Sequence, residues 1–463
     1  MTLPILSAIL GILAFLPVNF YWIGFFFLVP LFIFFIREKK FWRLIIGASV
    51  FKLIFALGTV YFTLEPITWL FSILIFLGLP VSVFIVKKFS QRLPAANYIL
   101  IFTLSLLWTF FDHLEARYSL LPTYIITAGN VFGSSPFLGL VAVGGLIFLT
   151  FFAALINVWL AVLISKIKNL PPKLITANSL AMILMIIIAW QISNFRLNEN
   201  ARDYNNLKNS LSVAFVSVNE KFNFSQADEL KKDLASTRTD LIIFPEDTFS
   251  DFGGARSLDF YKNLSKELKT NLLATFDTEQ NGKRYNSTIL FNGNGEVTGV
   301  YNKNHLTFMG EYWPFGNWHP SFYDWLRKNN PEFENYAIFN PQNAYAQGKK
   351  KILSINRNRS IINFASLICL EIHYPSDLKE YAKNGAQFII NPTSNRWLSL
   401  GTEHFLYLSN NLRKIEAVWL KIPIISSGVK DFAGVITPDG KINFVNYEDK
   451  DKNYGLLIDK IKY

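Results

Sequence analysis

The chain has 463 residues, 51% of them hydrophobic, with a formal net charge of +11 and one cysteine. One cysteine excludes an internal disulfide framework and a cysteine-based zinc site, and the five histidines show no metal-ligand spacing. The basic excess does not indicate nucleic acid. Residues 1–195 hold 12 Lys+Arg against 4 Asp+Glu, a balance of +8, while the rest hold 33 against 30, a balance of +3. No basic stripe interleaved with base-stacking aromatics is visible.

Apolar runs lie at 3–17, 20–36, 44–63, 67–86, 97–113, 137–164 and 178–194. A helix needs about 20 residues to cross the hydrocarbon core. The first two runs are shorter, are joined only by Pro17, Val18 and Asn19, and are predicted to form a hairpin of short or tilted helices. The first run lacks a basic leader and a small-residue cleavage site, so it reads as a retained membrane segment rather than a signal peptide.

Loop charges orient the bundle. The second connection carries Arg37, Lys39, Lys40 and Arg43, the fourth Lys87, Lys88 and Arg92, and the sixth Lys166, Lys168 and Lys173. The odd connections hold only Arg117 among basic residues, beside Glu65, Asp112 and Glu115. The positive-inside rule then makes the even connections and the N-terminus cytoplasmic, and seven crossings place residue 196 onward on the far side. Lys52 lies within the third run. An ionisable residue at membrane depth is a functional candidate, and the simpler reading is that it snorkels or pairs with a neighbouring helix. Gly129, Gly133, Pro136, Gly139, Gly144 and Gly145 mark either a re-entrant stretch or a loop followed by a closely packed helix.

Three parts are expected: a transmembrane helical domain over 1–195, a polar linker over 196–210, and a catalytic domain over 211–463. From 211 the pattern alternates strand and helix. Strands are predicted at 211–219, 240–247, 271–278, 387–393, 423–427 and 433–440, and helices at 226–236, 257–268, 376–384 and 402–420. Residues 285–303 read as a hairpin around Asn292-Gly-Asn-Gly. Such alternation implies a layered α/β fold.

Three residues stand at strand ends, where open α/β sheets place ligands. Glu246 follows Leu-Ile-Ile-Phe-Pro, Lys303 ends a hairpin strand, and Cys369 ends Phe-Ala-Ser-Leu-Ile-Cys. Singly, each has an ordinary explanation: a strand-end turn, a solvated lysine, a buried packing cysteine. Together they suffice for covalent acyl transfer. A carboxylate takes the thiol proton, and an ammonium stabilises the thiolate and the oxyanion.

The Pro-Glu, Tyr-x-Lys and Cys-x-Glu contexts, in that order, resemble the nitrilase (carbon–nitrogen hydrolase) superfamily. Seven preceding membrane helices narrow the resemblance to its apolipoprotein N-acyltransferase family. Further matches are Lys303 to Glu311 (Lys-x-His-Leu-x-x-x-Gly-Glu), Glu311-Tyr-x-Pro, Ser394-Asn395 followed by Trp397, His404, Ala14-Phe-Leu-Pro, and the glycine-rich run before the sixth helix. The resemblance implies a multi-pass α-helical membrane bundle of about seven helices plus an α/β nitrilase-like αββα sandwich domain. It implies Glu246 as general base, Lys303 as oxyanion and thiolate stabiliser, and Cys369 as acylated nucleophile. Glu311 and Glu371 match supporting carboxylates, and Ser394 and Trp397 match positions near the active-site entrance. On its own, His404 reads as structural.

The implied reaction moves a fatty acyl chain from a membrane phospholipid, through a Cys369 thioester, to the N-terminal amine of a lipoprotein's diacylglyceryl-cysteine. The resemblance implies no cofactor or metal, and a monomer at the bacterial inner membrane with its catalytic domain on the periplasmic side. A membrane-tethered amidase or hydrolase, and an inactive binding homologue, are the competing readings. The chain departs from the family pattern at Leu370, at Thr307-Phe308-Met309, at Arg396, and in reaching Tyr463 without the family's final membrane helix.

Overall fold

A computed structural model describes residues 1–463 except 64–65, 91–95, 122–123, 220–221, 250–254, 330, 358–359, 399 and 446–451, so Glu65 and Arg92 lie outside the described residues. The chain divides into two compact units.

The first unit comprises Met1–Ala201, Leu400–Trp419 and Pro438–Gly440. Its helices are α1 (Thr2–Phe15), α2 (Val29–Arg37), α3 (Phe41–Thr59), α4 (Pro66–Phe76), α5 (Gly78–Ser90), α6 (Ala96–Tyr118), α7 (Val141–Lys166) and α8, which starts at Pro172 and runs on to Asn206. Among the described residues, five helical stretches are long and apolar enough to cross a membrane: Phe41–Thr59, Ile67–Phe89, Tyr98–Tyr118, Leu138–Lys166 and Pro172–Asn206. Two shorter apolar stretches, Thr2–Phe15 and Tyr21–Arg37, correspond to the short opening runs.

Lys52 does not snorkel. Its ammonium sits 2.6 Å from Glu115 Oε1, both side chains are buried, and Ser72 Oγ donates to the same oxygen at 2.5 Å. Phe55 and Phe76 place their rings 5.6 and 5.4 Å from the ammonium. Pairing is what a charge among apolar helices requires, because an isolated one costs several kcal/mol to bury.

The glycine-rich stretch forms short 3-10 turns, Ala128–Ser134 and Leu138–Leu140, ahead of α7. Its glycines serve close approach: a Cβ on Gly133 would stand 2.6 Å from the backbone of Asn411, and one on Gly139 would stand 2.1 Å from Ser193 O. His404 Nε2 bonds Phe15 O at 2.9 Å, the structural role expected of it.

Residues 196–206, the first part of the expected polar linker, are helical and continue α8. No Gly or Pro interrupts 173–206, so the helix propagates into polar sequence. Asn200 Nδ2 donates to the carbonyls of Val418 (3.0 Å) and Pro438 (2.9 Å). The helix read at 402–420, α13 in chain order (Thr402–Leu420), contributes Leu400–Trp419 to the first unit rather than to the α/β unit.

The second unit comprises Arg202–Ser399, Leu420–Thr437 and Lys441–Tyr463. It contains β1 (Ser210–Val218), α9 (Phe224–Ala235), β2 (Leu241–Glu246), α10 (Ala255–Leu268), β3 (Asn271–Gln280), β4 (Lys283–Phe291), β5 (Val297–Asn302), α11 (Ser321–Asn329), β6 (Ile352–Arg357), β7 (Ser360–Ser366), α12 (Pro375–Lys383), β8 (Phe388–Ser394), β9 (Ile424–Val429), β10 (Ala433–Ile436), β11 (Ile442–Val445) and β12 (Tyr454–Lys462). The strand order is β5-β4-β3-β2-β1-β9-β8-β7-β6, with β10 beside β9, β11 beside β10, and β12 antiparallel to β1.

β1 meets β9 at one register pair, Val218 with Val429, and there the sheet folds into two halves. β2 packs against β8 and β9. Ser366 Oγ of β7 bonds Thr288 Oγ1 of β4 at 3.0 Å, and Gly299 of β5 faces Leu353 of β6, so the sheet nearly closes on itself. β2 is buried along its whole length, as its unbroken Leu-Ile-Ile-Phe run predicts. Phe222, Phe244, Phe249, Tyr261 and Phe276 fill the core beside it.

Candidate active site

Three strand ends meet. β2 delivers Glu246 as its last residue. Lys303 follows β5 directly, and its N–H donates to Asn286 O of β4 at 2.9 Å, which continues the hairpin ladder by one step. Cys369 opens a 3-10 turn, Cys369–His373, after β7. Its φ of +53° lies in the left-handed region, a strained conformation for a residue with a side chain. Asn391 of β8 braces the turn, its Nδ2 donating to Leu367 O (2.6 Å) and Cys369 O (3.1 Å).

Lys303 Nζ lies 3.8 Å from Glu246 Oε1 and 2.9 Å from the Glu311 carboxylate, and only 1% of its side chain is exposed. Asn286 Nδ2 donates to Glu246 Oε1 (2.7 Å) and to Glu311 Oε1 (2.8 Å). Two carboxylate neighbours fix the orientation of that amide, since only its NH2 side can face them. Glu246 Oε2 is buried and, among the described residues, has no full hydrogen bond; the Cys369 thiol interacts with this carboxyl. The Ser394 N–H favours the thiolate form of Cys369.

Glu371 does not touch Lys303; it fixes the segments that carry the other two. Its Oε1 accepts from Tyr301 OH (2.8 Å) and from the N–H groups of Asn304 (2.7 Å) and His305 (2.9 Å). Its Oε2 accepts from Ile368 N–H at 2.7 Å. One buried carboxylate thus ties the chain after Lys303 to the chain before Cys369. Glu311 is held by the Thr307 N–H at 2.7 Å, so the altered Thr307-Phe308-Met309 loop still supplies its clamp.

The electrostatics follow from burial and these contacts. Burial raises the Glu246 carboxyl above its ordinary range, against the pull of Lys303. Burial likewise pushes the Cys369 thiol up, with Glu246 adding to the effect and Lys303 opposing it. Burial would lower the Lys303 ammonium, but Glu311 and Glu246 outweigh it and hold the group charged above its usual value. Glu311 stays below its usual range because Lys303 overcomes its own desolvation. The resting site therefore contains a neutral thiol, a buried acid with a raised proton affinity, and a fixed cation. Such a set can pass the sulfur proton to Glu246 as the sulfur attacks a carbonyl, and can hold the oxyanion that develops.

Residues 211–418 match the carbon–nitrogen hydrolase family model, and residues 7–159 match the apolipoprotein N-acyltransferase N-terminal domain model. The chain belongs to the apolipoprotein N-acyltransferase family of the nitrilase superfamily. Its relatives include the apolipoprotein N-acyltransferases of Haemophilus influenzae (25% identical; 66% of this chain, 59% of that one) and Geobacter metallireducens (23%; 66% and 58%). That of Agrobacterium fabrum is 29% identical over 34% of this chain and 27% of its own. The matches to the first two span just under three fifths of those relatives' length. Among solved structures, the α/β unit resembles yeast Nit3 (17% identity, 55% of this chain and 91% of that one, TM-score 0.39) and an amidase from Nesterenkonia sp. (15%, 54% and 90%, TM-score 0.39).

Within this family member, the structure brings together Glu246, Lys303, Cys369, Glu311 and the Ser394 amide, with Glu371 behind them. Trp397 is half-buried three residues beyond Ser394. Asn286 escaped the sequence reading. The Asn-Gly-Asn-Gly turn contained the signal, since it sets Ser287 opposite Asn302 and hence Asn286 opposite Lys303. Tyr301, whose hydroxyl donates to Glu371, was missed as well. Arg396, one of the departures, donates from Nη2 to Thr248 O at 3.2 Å and so lies against the turn that follows Glu246.

Proposed function

We propose that the chain is a membrane N-acyltransferase that moves a fatty acyl chain from a phospholipid, through a thioester on Cys369, to the α-amino group of an apolipoprotein's diacylglyceryl-cysteine. The observation that carries this reading is a single thiol beside a buried carboxyl and a buried ammonium, in a chain that also holds several apolar helices. Glu246 is the base, Lys303 the stabiliser of oxyanion and thiolate, and Cys369 the nucleophile. Glu311 and Asn286 set the Lys303–Glu246 spacing. Glu371 fixes the Lys303 and Cys369 segments, and Ser394 and Trp397 stand at the entrance. No cofactor takes part.

The raised thiol and carboxyl proton affinities fit a concerted step: sulfur attacks the ester carbonyl while its proton passes to Glu246, and Glu246 returns that proton to the departing alkoxide. The thioester then awaits an amine. Loop charges favour an inner-membrane location with the catalytic residues on the periplasmic side. A monomer suffices, because every proposed role is filled from one chain.

The test supplies detergent-solubilised protein with acyl-labelled phospholipid and a diacylglyceryl-cysteine peptide. Label on the peptide amine, with lysophospholipid as co-product, supports transfer. Label released only as free fatty acid makes the chain a hydrolase instead.

A further inference from the structure

The loop that carries Lys303 and Glu311 closes on itself. Lys303 Nζ reaches the Glu311 carboxylate at 2.9 Å and Thr307 Oγ1 at 3.4 Å, and Glu311 accepts from the Thr307 N–H at 2.7 Å. These bonds hold the loop's shape without locating it. An ammonium on a long flexible stem keeps its 3.8 Å spacing from Glu246 only when the loop is fastened to something outside itself.

We propose that His305 is a positioning residue, whose imidazole fastens the Lys303 loop to the chain that follows the nucleophile. The inference rests on the acyl-transfer reading above and goes beyond it, giving a role to the histidine of the Lys-x-His-Leu motif.

Three residues on one stretch hold His305, and they are spaced by three: Glu371, Tyr374 and Asp377. The His305 N–H donates to Glu371 Oε1 at 2.9 Å. Its ring stacks on that of Tyr374, with centroids 3.9 Å apart and planes 13° from parallel. Its Nε2 lies 2.6 Å from Asp377 Oδ2. Burial would raise the Asp377 carboxyl, but the hydrogen bonds from His305 and Lys350 outweigh it and hold the group below its usual range. A carboxylate only accepts, so Nε2 carries the hydrogen and the bond is charge-assisted.

Asp377 stands in the first turn of α12, and its Oδ1 accepts from Lys350 Nζ at 2.9 Å. The segment before Lys350 is joined to the same loop at both ends. The Gly348 N–H donates to Lys303 O at 2.8 Å, and the Tyr345 N–H donates to Glu311 O at 3.0 Å. One carboxylate therefore anchors the loop twice, directly through His305 and indirectly through residues 345–350. Glu371 holds only backbone N–H groups of residues 304 and 305, and the ring contact adds a second point that stops the loop pivoting about the first.

The chain has one cysteine, so iodoacetamide alkylation of the full-length protein reports on Cys369 alone. Lys303 favours the Cys369 thiolate, so a misplaced ammonium slows alkylation. His305→Leu keeps bulk against Tyr374 and loses the bond to Asp377. At neutral pH it should slow alkylation by about tenfold, and His305→Gln, which retains an N–H donor, should stay within about threefold of native. In a Lys303→Met background, His305→Leu should slow alkylation no further, because its effect runs through Lys303. Should His305→Leu fail to fold, Asp377→Ser removes the same bond from the other side and should give the same pattern. A His305→Leu rate equal to native, or an equal slowing with and without Lys303, overturns the positioning role. Alkylation needs no phospholipid, so the two readings fail separately. A native protein that never takes an acyl chain from phospholipid vesicles overturns acyl transfer, while the alkylation cycle still decides the role of His305.

Discussion

Asn286 and Lys303 are neighbours across one hairpin rung, joined by the Lys303 N–H on the Asn286 carbonyl at 2.9 Å, and both reach the Glu311 carboxylate. The backbone bond fixes their spacing, and the shared acid fixes their side chains. Asn286 also supplies the hydrogen bond on Glu246 Oε1. Asn286→Ala should therefore lower the acylation rate about 10- to 100-fold, since charge-assisted hydrogen bonds are worth roughly 1.5–3 kcal/mol. Single-turnover loading of Cys369 measures it. An unchanged rate would mean that Glu246 needs no such support.

Glu371 accepts four hydrogen bonds from two separate chain segments, residues 301–305 and Ile368. Glu371→Leu strands those donors in the interior and should cost about 3 kcal/mol or more in stability as well as activity. Tyr301→Phe removes one donor of the four and should cost about 1 kcal/mol. Thermal unfolding of the two variants gives the comparison. Equal losses would contradict Glu371 as the common anchor.

The Lys52–Glu115 pair predicts strong non-additivity. Lys52→Met leaves Glu115 buried without its countercharge and should destabilise the first unit by about 3–5 kcal/mol. Adding Glu115→Leu removes the stranded charge and should restore most of the loss. A double variant no more stable than the single one would show that the pair contributes through packing alone.

Glu416 of α13 is fully buried, and among the described residues neither carboxyl oxygen has a partner. Burial pushes its carboxyl up to about 8. The unfolded chain releases this proton near 4.3. Between about 4.3 and 8 the folded state therefore holds a proton that the unfolded state has lost, and stability falls as pH rises through that window. Glu416→Gln carries no such penalty, so its advantage in Tm should grow from pH 5 to pH 8. A constant difference would contradict a protonated Glu416.

Glu246, Lys303 and Cys369 were legible because each stands at or just beyond the end of a strand whose own residues announce it, Glu246 closing β2, Lys303 following β5 and Cys369 opening the turn three residues after β7. A charge or thiol at the end of an apolar run has few structural reasons to be there. Asn286 was hidden because its role depends on register, a pairing between strands rather than a pattern within one. Strands β6, β11 and β12 went unread for a related reason: exposed positions break their apolar runs, and tertiary pairing completes them. Residues 196–206 read as a polar linker because they lack apolar periodicity, and uninterrupted helix propensity carries α8 through them. The helix at 402–420 was recognised, but the unit that it joins is set by tertiary contacts such as Asn130 Nδ2 on Leu408 O, 278 residues apart in sequence.

The central claim is that the Cys369 sulfur carries the acyl chain. Intact-mass measurement of the full-length protein after incubation with phospholipid tests it most directly. The native protein should gain the mass of one acyl chain, sensitive to hydroxylamine, and Cys369→Ala should gain none. A native protein without the adduct, or a Cys369→Ala variant that still acquires it, would contradict the account.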